Sequence, residues 1–101
     1  MSNLKHVYIE RLVWDDWNRD HIAKHGVSPE EAEEVVAVDP LVRASYKGRL
    51  LFLGPTLAGR MLAVVIGPVP GEDLSYYVFS ARPASRKERR AFEQRRGVGD
   101  A

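Results

Sequence analysis

Hydrophobic and polar positions change period repeatedly along the chain. From His6 to Trp14 they alternate, with Val7, Ile9 and Val13 on one side and Tyr8, Leu12 and Trp14 on the other, which predicts a strand. Alternation breaks at Asp15-Asp16, whose carboxylates suit the free amides of a helix start. A helix is therefore expected over Trp17–His25, ended by Gly26 in the left-handed conformation. Ser28-Pro29-Glu30-Glu31 is a capping box with proline at the first helical position. The helix it opens buries Ala32, Val35 and Val36, turns Glu30, Glu33 and Glu34 to water, and stops at Asp39-Pro40.

Four strands are expected next, at Leu41–Tyr46, Arg49–Gly54, Arg60–Gly67 and Ser75–Ala81. Lys47-Gly48, Leu57-Ala58-Gly59 and Pro68–Asp73 connect them. Parallel neighbours need crossovers of a dozen or more residues, so connections this short predict an antiparallel meander. Tyr76 and Phe79 are expected on the face opposite Tyr77. Ser85 with Glu88 is a second capping box, opening a last helix whose only clear apolar contacts are Ala91 and Phe92. A stripe that narrow docks lightly. The order β-α-α-β-β-β-β-α predicts an α+β fold with the helices packed on one antiparallel sheet. One domain is expected over 1–96, with a loose tail at 97–101.

At 101 residues the chain holds one modest core. It has no cysteine, which excludes disulfides, thiolate metal sites and a cysteine nucleophile. The longest apolar run, Met61–Ile66, is far below the roughly 20 residues that span a bilayer. With no signal-like segment at Met1–His6 either, a cytoplasmic location without membrane contact is expected.

The net charge of +1 hides an asymmetry. Residues 10–39 hold nine acidic and three basic groups, whereas residues 82–96 hold seven basic and two acidic ones. A basic cluster of that density attracts polyanions, nucleic acid above all, although a solvated helix face has the same composition.

His21 and His25 share one side of the first helix, a spacing that suits zinc only with a third ligand. The segment lacks the glutamate of a zincin signature, and Lys24 disfavours a dication, so no metal is expected. A histidine titrating near neutrality can move protons, and Lys24 beside it can hold phosphate. No phosphate-cradling glycine loop, nucleophile elbow or glycosidase carboxylate couple is present. Arg82, with Arg43, Arg49 and Arg60, is a candidate set for gripping a phosphodiester. Arginines at strand ends also simply solubilise a sheet edge.

Val13-Trp14-Asp15, Asn18, and Lys24-His25-Gly26-Val27-Ser28 with Glu30-Glu31-Ala32 resemble the opening of the BrnT family of type II toxins. Phe79-Ser80-Ala81-Arg82-Pro83-Ala84-Ser85-Arg86-Lys87-Glu88-Arg89 resembles its ending. Together the signatures extend the resemblance over roughly residues 7–96. It implies a RelE-like fold, RNA cleavage without a cofactor, growth inhibition, and neutralisation by a BrnA-like ribbon-helix-helix antitoxin through which operator DNA is bound. Asp16-Trp17 and Asp20-His21 depart from the commoner pattern, and the central loops are short and apolar.

On that footing His25 is the candidate acid/base, with Lys24 and Arg82 on the phosphate. Arg43, Arg49, Arg60 and Arg86 are candidate backbone binders, and Tyr76 or Tyr77 a candidate base stacker. Exposed members of Leu50, Phe52, Leu57 and Met61 are candidate antitoxin contacts. A noncatalytic nucleic-acid-binding module and a protein-interaction domain remain open beside the ribonuclease.

Overall fold

Asp15 starts the first helix by accepting from the Asn18 amide at 2.9 Å, while the Asn18 side chain accepts from the Asp15 amide at 2.8 Å. This reciprocal cap opens α1 (Asp16–Ala23) in the computed structural model, which describes residues 7–100, with side chains to Arg95. At the other end the Val27 amide returns to the Ile22 carbonyl and the Gly26 amide to that of Ala23. That is a Schellman closure, and Gly26 takes the expected positive φ of 71°. Ser28 and Glu31 then exchange the capping-box bonds that open α2 (Pro29–Ala37).

The strands are β1 (Arg11–Val13), β2 (Leu41–Ala44), β3 (Leu50–Pro55), β4 (Met61–Pro68) and β5 (Ser75–Pro83), followed by α3 (Arg86–Asp100). The element order is the one expected from the sequence. At the β2–β3 turn, Lys47 and Gly48 both have positive φ, and the Arg49 amide closes on the Tyr46 carbonyl at 3.1 Å. Two left-handed residues match the twist of the flanking strands. Five residues join β3 to β4; the Thr56 amide closes on the Arg60 carbonyl at 2.9 Å, and Gly59 takes a φ of 89°.

The sheet runs β1-β5-β4-β3-β2, and it is mixed rather than purely antiparallel. β2 to β5 form the expected meander, but β1 lies parallel to β5, with Arg11 opposite Ser75 and Val13 opposite Tyr77. The helices carry the chain away after β1, and it returns to pair with β1 only at its last strand. β1 is also shorter than expected: Val7, Ile9 and Trp14 pack on the same cluster as Leu12, so alternation does not hold before Arg11. His6 lies outside the described residues, and the expected tail falls where side chains do.

Even-numbered positions of β4 (Leu62, Val64, Ile66) join Ile22, Val27, Ala32 and Val35 in one core under α1 and α2. On the opposite face Leu41, Leu53 and Ala63 meet Phe92 of α3 in a smaller cluster. Helices thus cover both faces, although α3 covers only part of its own. Phe52, a candidate partner contact, is 2% exposed and belongs to the core, whereas Leu57 stands 77% exposed.

Candidate functional site

Register decides what the α3 face of the sheet presents. One row of cross-strand neighbours is Leu41, Leu53, Ala63 and Arg82, and the next is Arg43, Leu51, Val65 and Ser80. Phe92 seals the first row, while the second is half-buried and open. A third row follows at Gly67 and Tyr77. A bulge opposite Val65/Ile66 inserts Phe79 between these last two rows, so Phe79 shares the Tyr77 face, against expectation. Their rings meet edge to face at 5.0 Å.

Gly67 gives Arg49 its place. A Cβ there would come within 2.9 Å of the Phe79 ring and 3.2 Å of Arg49 Cγ. The bare backbone instead lets the Arg49 guanidinium lie 3.6 Å from the Phe79 centroid and 5.1 Å from that of Tyr46, to whose hydroxyl it donates at 3.2 Å. Arg43 is held differently. Its Nε is buried without a partner, and the side chain makes no hydrogen bond or ion pair among the described residues. Neither arginine meets a carboxylate among the described residues.

Arg82 bounds this face at the start of α3 and is clamped by Glu88 through two hydrogen bonds of 2.7 and 2.9 Å. Glu88 also accepts from the Ser85 amide, completing the α3 cap. The Arg82 guanidinium holds the Glu88 carboxyl down at about 2, against partial burial and with help from the Ser85 bonds. The same bond raises Arg82, which stays cationic. A carboxylate depressed on folding stabilises the protein above its unfolded value near 4.5, and the gain disappears as pH falls toward 2. With Glu88 18% and Arg82 40% exposed, screening leaves on the order of 1–2 kcal/mol. Glu88→Gln is therefore expected to lower the urea midpoint at pH 7, with the gap to wild type narrowing as pH falls from about 4.5 toward 2. A gap constant across that range would contradict the clamp.

The other candidates fall elsewhere. Lys24 and His25 are exposed at the C-terminal end of α1, whose Ile22 packs on the opposite face of the sheet. His25 sets its ring edge-on to His21 at 5.9 Å, and no contact joins either residue to Arg82. Arg60 ties layers together, donating to the Gly26 carbonyl at 2.7 Å and to Glu31 at 3.2 Å. Tyr76 packs half-buried against the α1–α2 core. Tyr77 donates to both Asp15 oxygens at 2.9 and 3.0 Å, and burial followed by that bond pushes its phenol up to about 12. Arg86 is exposed at the start of α3.

The structure therefore brings Arg43, Arg49 and Arg82 to one face with Ser80, Phe79 and Tyr77, and leaves Lys24, His25, Arg60 and Tyr76 outside it. Tyr46 was absent from the sequence candidates, whereas Ser80 stood with Tyr76, Tyr77, Arg82 and Arg86 in a concentration of polar groups. The bulge that rotates β5 has no local signal, but Tyr46 directly before Lys47-Gly48 was a legible position on the turn. No group of three or more His, Asp or Glu among the described residues is arranged to hold a metal ion. No described helix is long and apolar enough to cross a membrane.

A family model described as the ribonuclease toxin BrnT of type II toxin–antitoxin systems matches residues 14–88. Among solved structures, the crystal structure of the Brucella abortus ribonuclease toxin BrnT matches with a TM-score of 0.59 and 29% sequence identity. The match covers 75% of this chain and 97% of that one. No curated protein sequence matched.

Proposed function

Since the chain belongs to the BrnT family of ribonuclease toxins from type II toxin–antitoxin systems, we propose that it is an endoribonuclease that holds single-stranded RNA along the α3 face of its sheet. The observation that carries this reading is a half-open sheet face with two arginines, Arg43 and Arg49, that meet no carboxylate among the described residues. Three strand spacings, roughly 14 Å, separate the strands of Arg43 and Arg82, which also lie in different rows, so they hold different phosphates of one RNA strand. Exposed Arg86, Lys87, Arg89 and Arg90 of α3 extend the cationic track.

Cleavage needs no group beyond side chains and water. A ribose 2′-hydroxyl loses its proton and attacks the adjacent phosphorus. The P–O5′ bond breaks, and the leaving 5′-oxygen takes a proton, giving a 2′,3′-cyclic phosphate and a 5′-hydroxyl. The arginines stabilise the extra negative charge on the phosphorane. Lys24 and His25, proposed for the phosphate and the proton step, lie on the layer opposite these arginines, so a role for them requires a phosphate held away from Arg43 and Arg49, and variants at these positions decide it. His25→Ala that binds RNA but does not cleave it assigns the proton step to the imidazole. Unchanged cleavage by His25→Ala removes the histidine from the reaction.

Within the cell the proposed setting is the cytoplasm, where cleavage inhibits growth until a BrnA-like ribbon-helix-helix antitoxin binds the toxin. Operator DNA is reached only through that antitoxin. Exposed Leu57 and half-buried Leu50 and Met61 are the apolar positions proposed to contribute to antitoxin contact. Pure protein incubated with single-stranded RNA and EDTA is expected to cleave it, with affinity falling steeply as salt rises. Folded protein that leaves the RNA intact under those conditions would sink metal-independent cleavage. Co-expression with the adjacent reading frame is expected to yield a stable complex, and failure to co-purify would argue against the antitoxin assignment.

A further inference from the structure

The β2–β3 hairpin end adds to the two arginines of this face a fixed, exposed aromatic ring that the proposed cleavage reaction does not by itself require. Tyr46 is 62% exposed although its ring is fixed, because Arg49 lies against it and donates to its hydroxyl. Behind Arg49 stands Phe79, and behind Phe79 stands Tyr77, anchored on Asp15. Tyr46 is thus the exposed end of a ladder of planar groups. Arg43 lies opposite Leu51, two residues along from Arg49, a diagonal at which Cα atoms are roughly 7–8 Å apart. Two arginines at neighbouring positions of one face, neither meeting a carboxylate among the described residues, concentrate positive charge that a bound anion neutralises. Residues 41–60 also carry Lys47 and contain no Asp or Glu.

We infer that Tyr46, Arg43 and Arg49 form a nucleotide subsite, in which one nucleobase of a single-stranded RNA stacks on the Tyr46 ring and the phosphate beside it bridges the two arginines. The inference rests on the RNA-binding reading of this face and names where a base is held on it. Stacking on an aromatic ring tolerates any base, and two arginines fix the phosphate that orients it. Tyr76 and Tyr77, the tyrosines suggested by sequence, are committed to the core and to Asp15. A ladder that ends in solvent leaves Tyr46 the ring with an open face.

The test uses the full chain and a fluorescent 2′-O-methyl oligoribonucleotide, which binds but lacks the attacking hydroxyl, followed by anisotropy. Tyr46→Ala is expected to weaken binding about tenfold, and Tyr46→Phe, which keeps the ring, less than threefold. Displacement of the oligonucleotide by a base-free polyphosphate reports the arginines alone, and the polyphosphate affinity of Tyr46→Ala should equal that of wild type. Unchanged oligonucleotide affinity in Tyr46→Ala overturns the subsite. So does an equal loss for polyphosphate, which reduces Tyr46 to a support for Arg49. Cleavage is scored separately on unmodified RNA. Tyr46-dependent binding without cleavage keeps the subsite and defeats the ribonuclease reading, while cleavage with Tyr46-independent binding does the reverse.

Discussion

Arg43→Ala is expected to lower kcat/KM for RNA cleavage about 100-fold while leaving the melting temperature unchanged or slightly raised. The two halves of that expectation have one cause. A buried Nε without a partner costs folding about 1–3 kcal/mol, and the charge of neighbouring Arg49 adds repulsion. Removing the side chain relieves both, and no intramolecular bond is broken. The same donors become favourable when a phosphate accepts from them. Loss of one group that stabilises developing negative charge typically costs about 2.7–4 kcal/mol of barrier, or 100- to 1,000-fold in rate. Arg43→Lys retains charge but not the planar fork, so an intermediate rate is expected. Single-turnover cleavage and calorimetry on the same preparations decide the matter. A melting temperature that falls by several degrees while cleavage is preserved would make Arg43 structural.

Asn18→Ala is expected to do the opposite, costing about 3 kcal/mol of folding stability, or on the order of 10–20 °C in Tm for a domain of this size. Asn18 is fully buried. Its amide nitrogen donates to the Val13 carbonyl at 2.9 Å and the Val78 carbonyl at 3.0 Å. β1 ends at Val13, and one side chain thereby satisfies a carbonyl from each member of the parallel pair just past the end of their ladder. Its Oδ1 meanwhile accepts from the Asp15 amide to cap α1. Alanine leaves a buried acceptor bare, opens a cavity and removes half the cap, three losses from one substitution. Asn18→Asp keeps the acceptor but replaces the two donated bonds with carboxylate–carbonyl repulsion, so it should be destabilised at least as much at pH 7. Urea unfolding provides the measurement. A loss below about 1 kcal/mol in either variant would show that Asn18 does not lock β1 to β5.

Much of the architecture was legible because its determinants are local. Asp15, Ser28 with Glu31, and Ser85 with Glu88 each bond to atoms three residues away, so caps can be read directly from spacing. Gly26, Lys47-Gly48 and Gly59 mark turns by the φ they permit. The meander followed from connection lengths. The site was less legible. Arg82 was expected beyond the end of its strand but lies within it opposite Ala63, and its Glu88 partner is six residues away, close enough to be found by inspection. Arg60 and Arg43 look alike in sequence, yet one is consumed by Gly26 and Glu31 while the other has a buried Nε without a partner.

By itself, then, the sequence determined the order of elements, their caps and turns, and the family signatures from Trp14 to Glu88, since each depends on residues close in the chain. Only the tertiary structure decided that β1 runs parallel to β5, that a bulge turns Phe79 to the Tyr77 face, and that Arg43 and Arg49 share an open surface while Lys24 and His25 leave from the opposite layer. Those outcomes depend on pairing between residues about 60 positions apart and on a one-residue shift that flips every later side chain. No local pattern encodes which face an arginine reaches, because the register is set by how both faces of the sheet are packed.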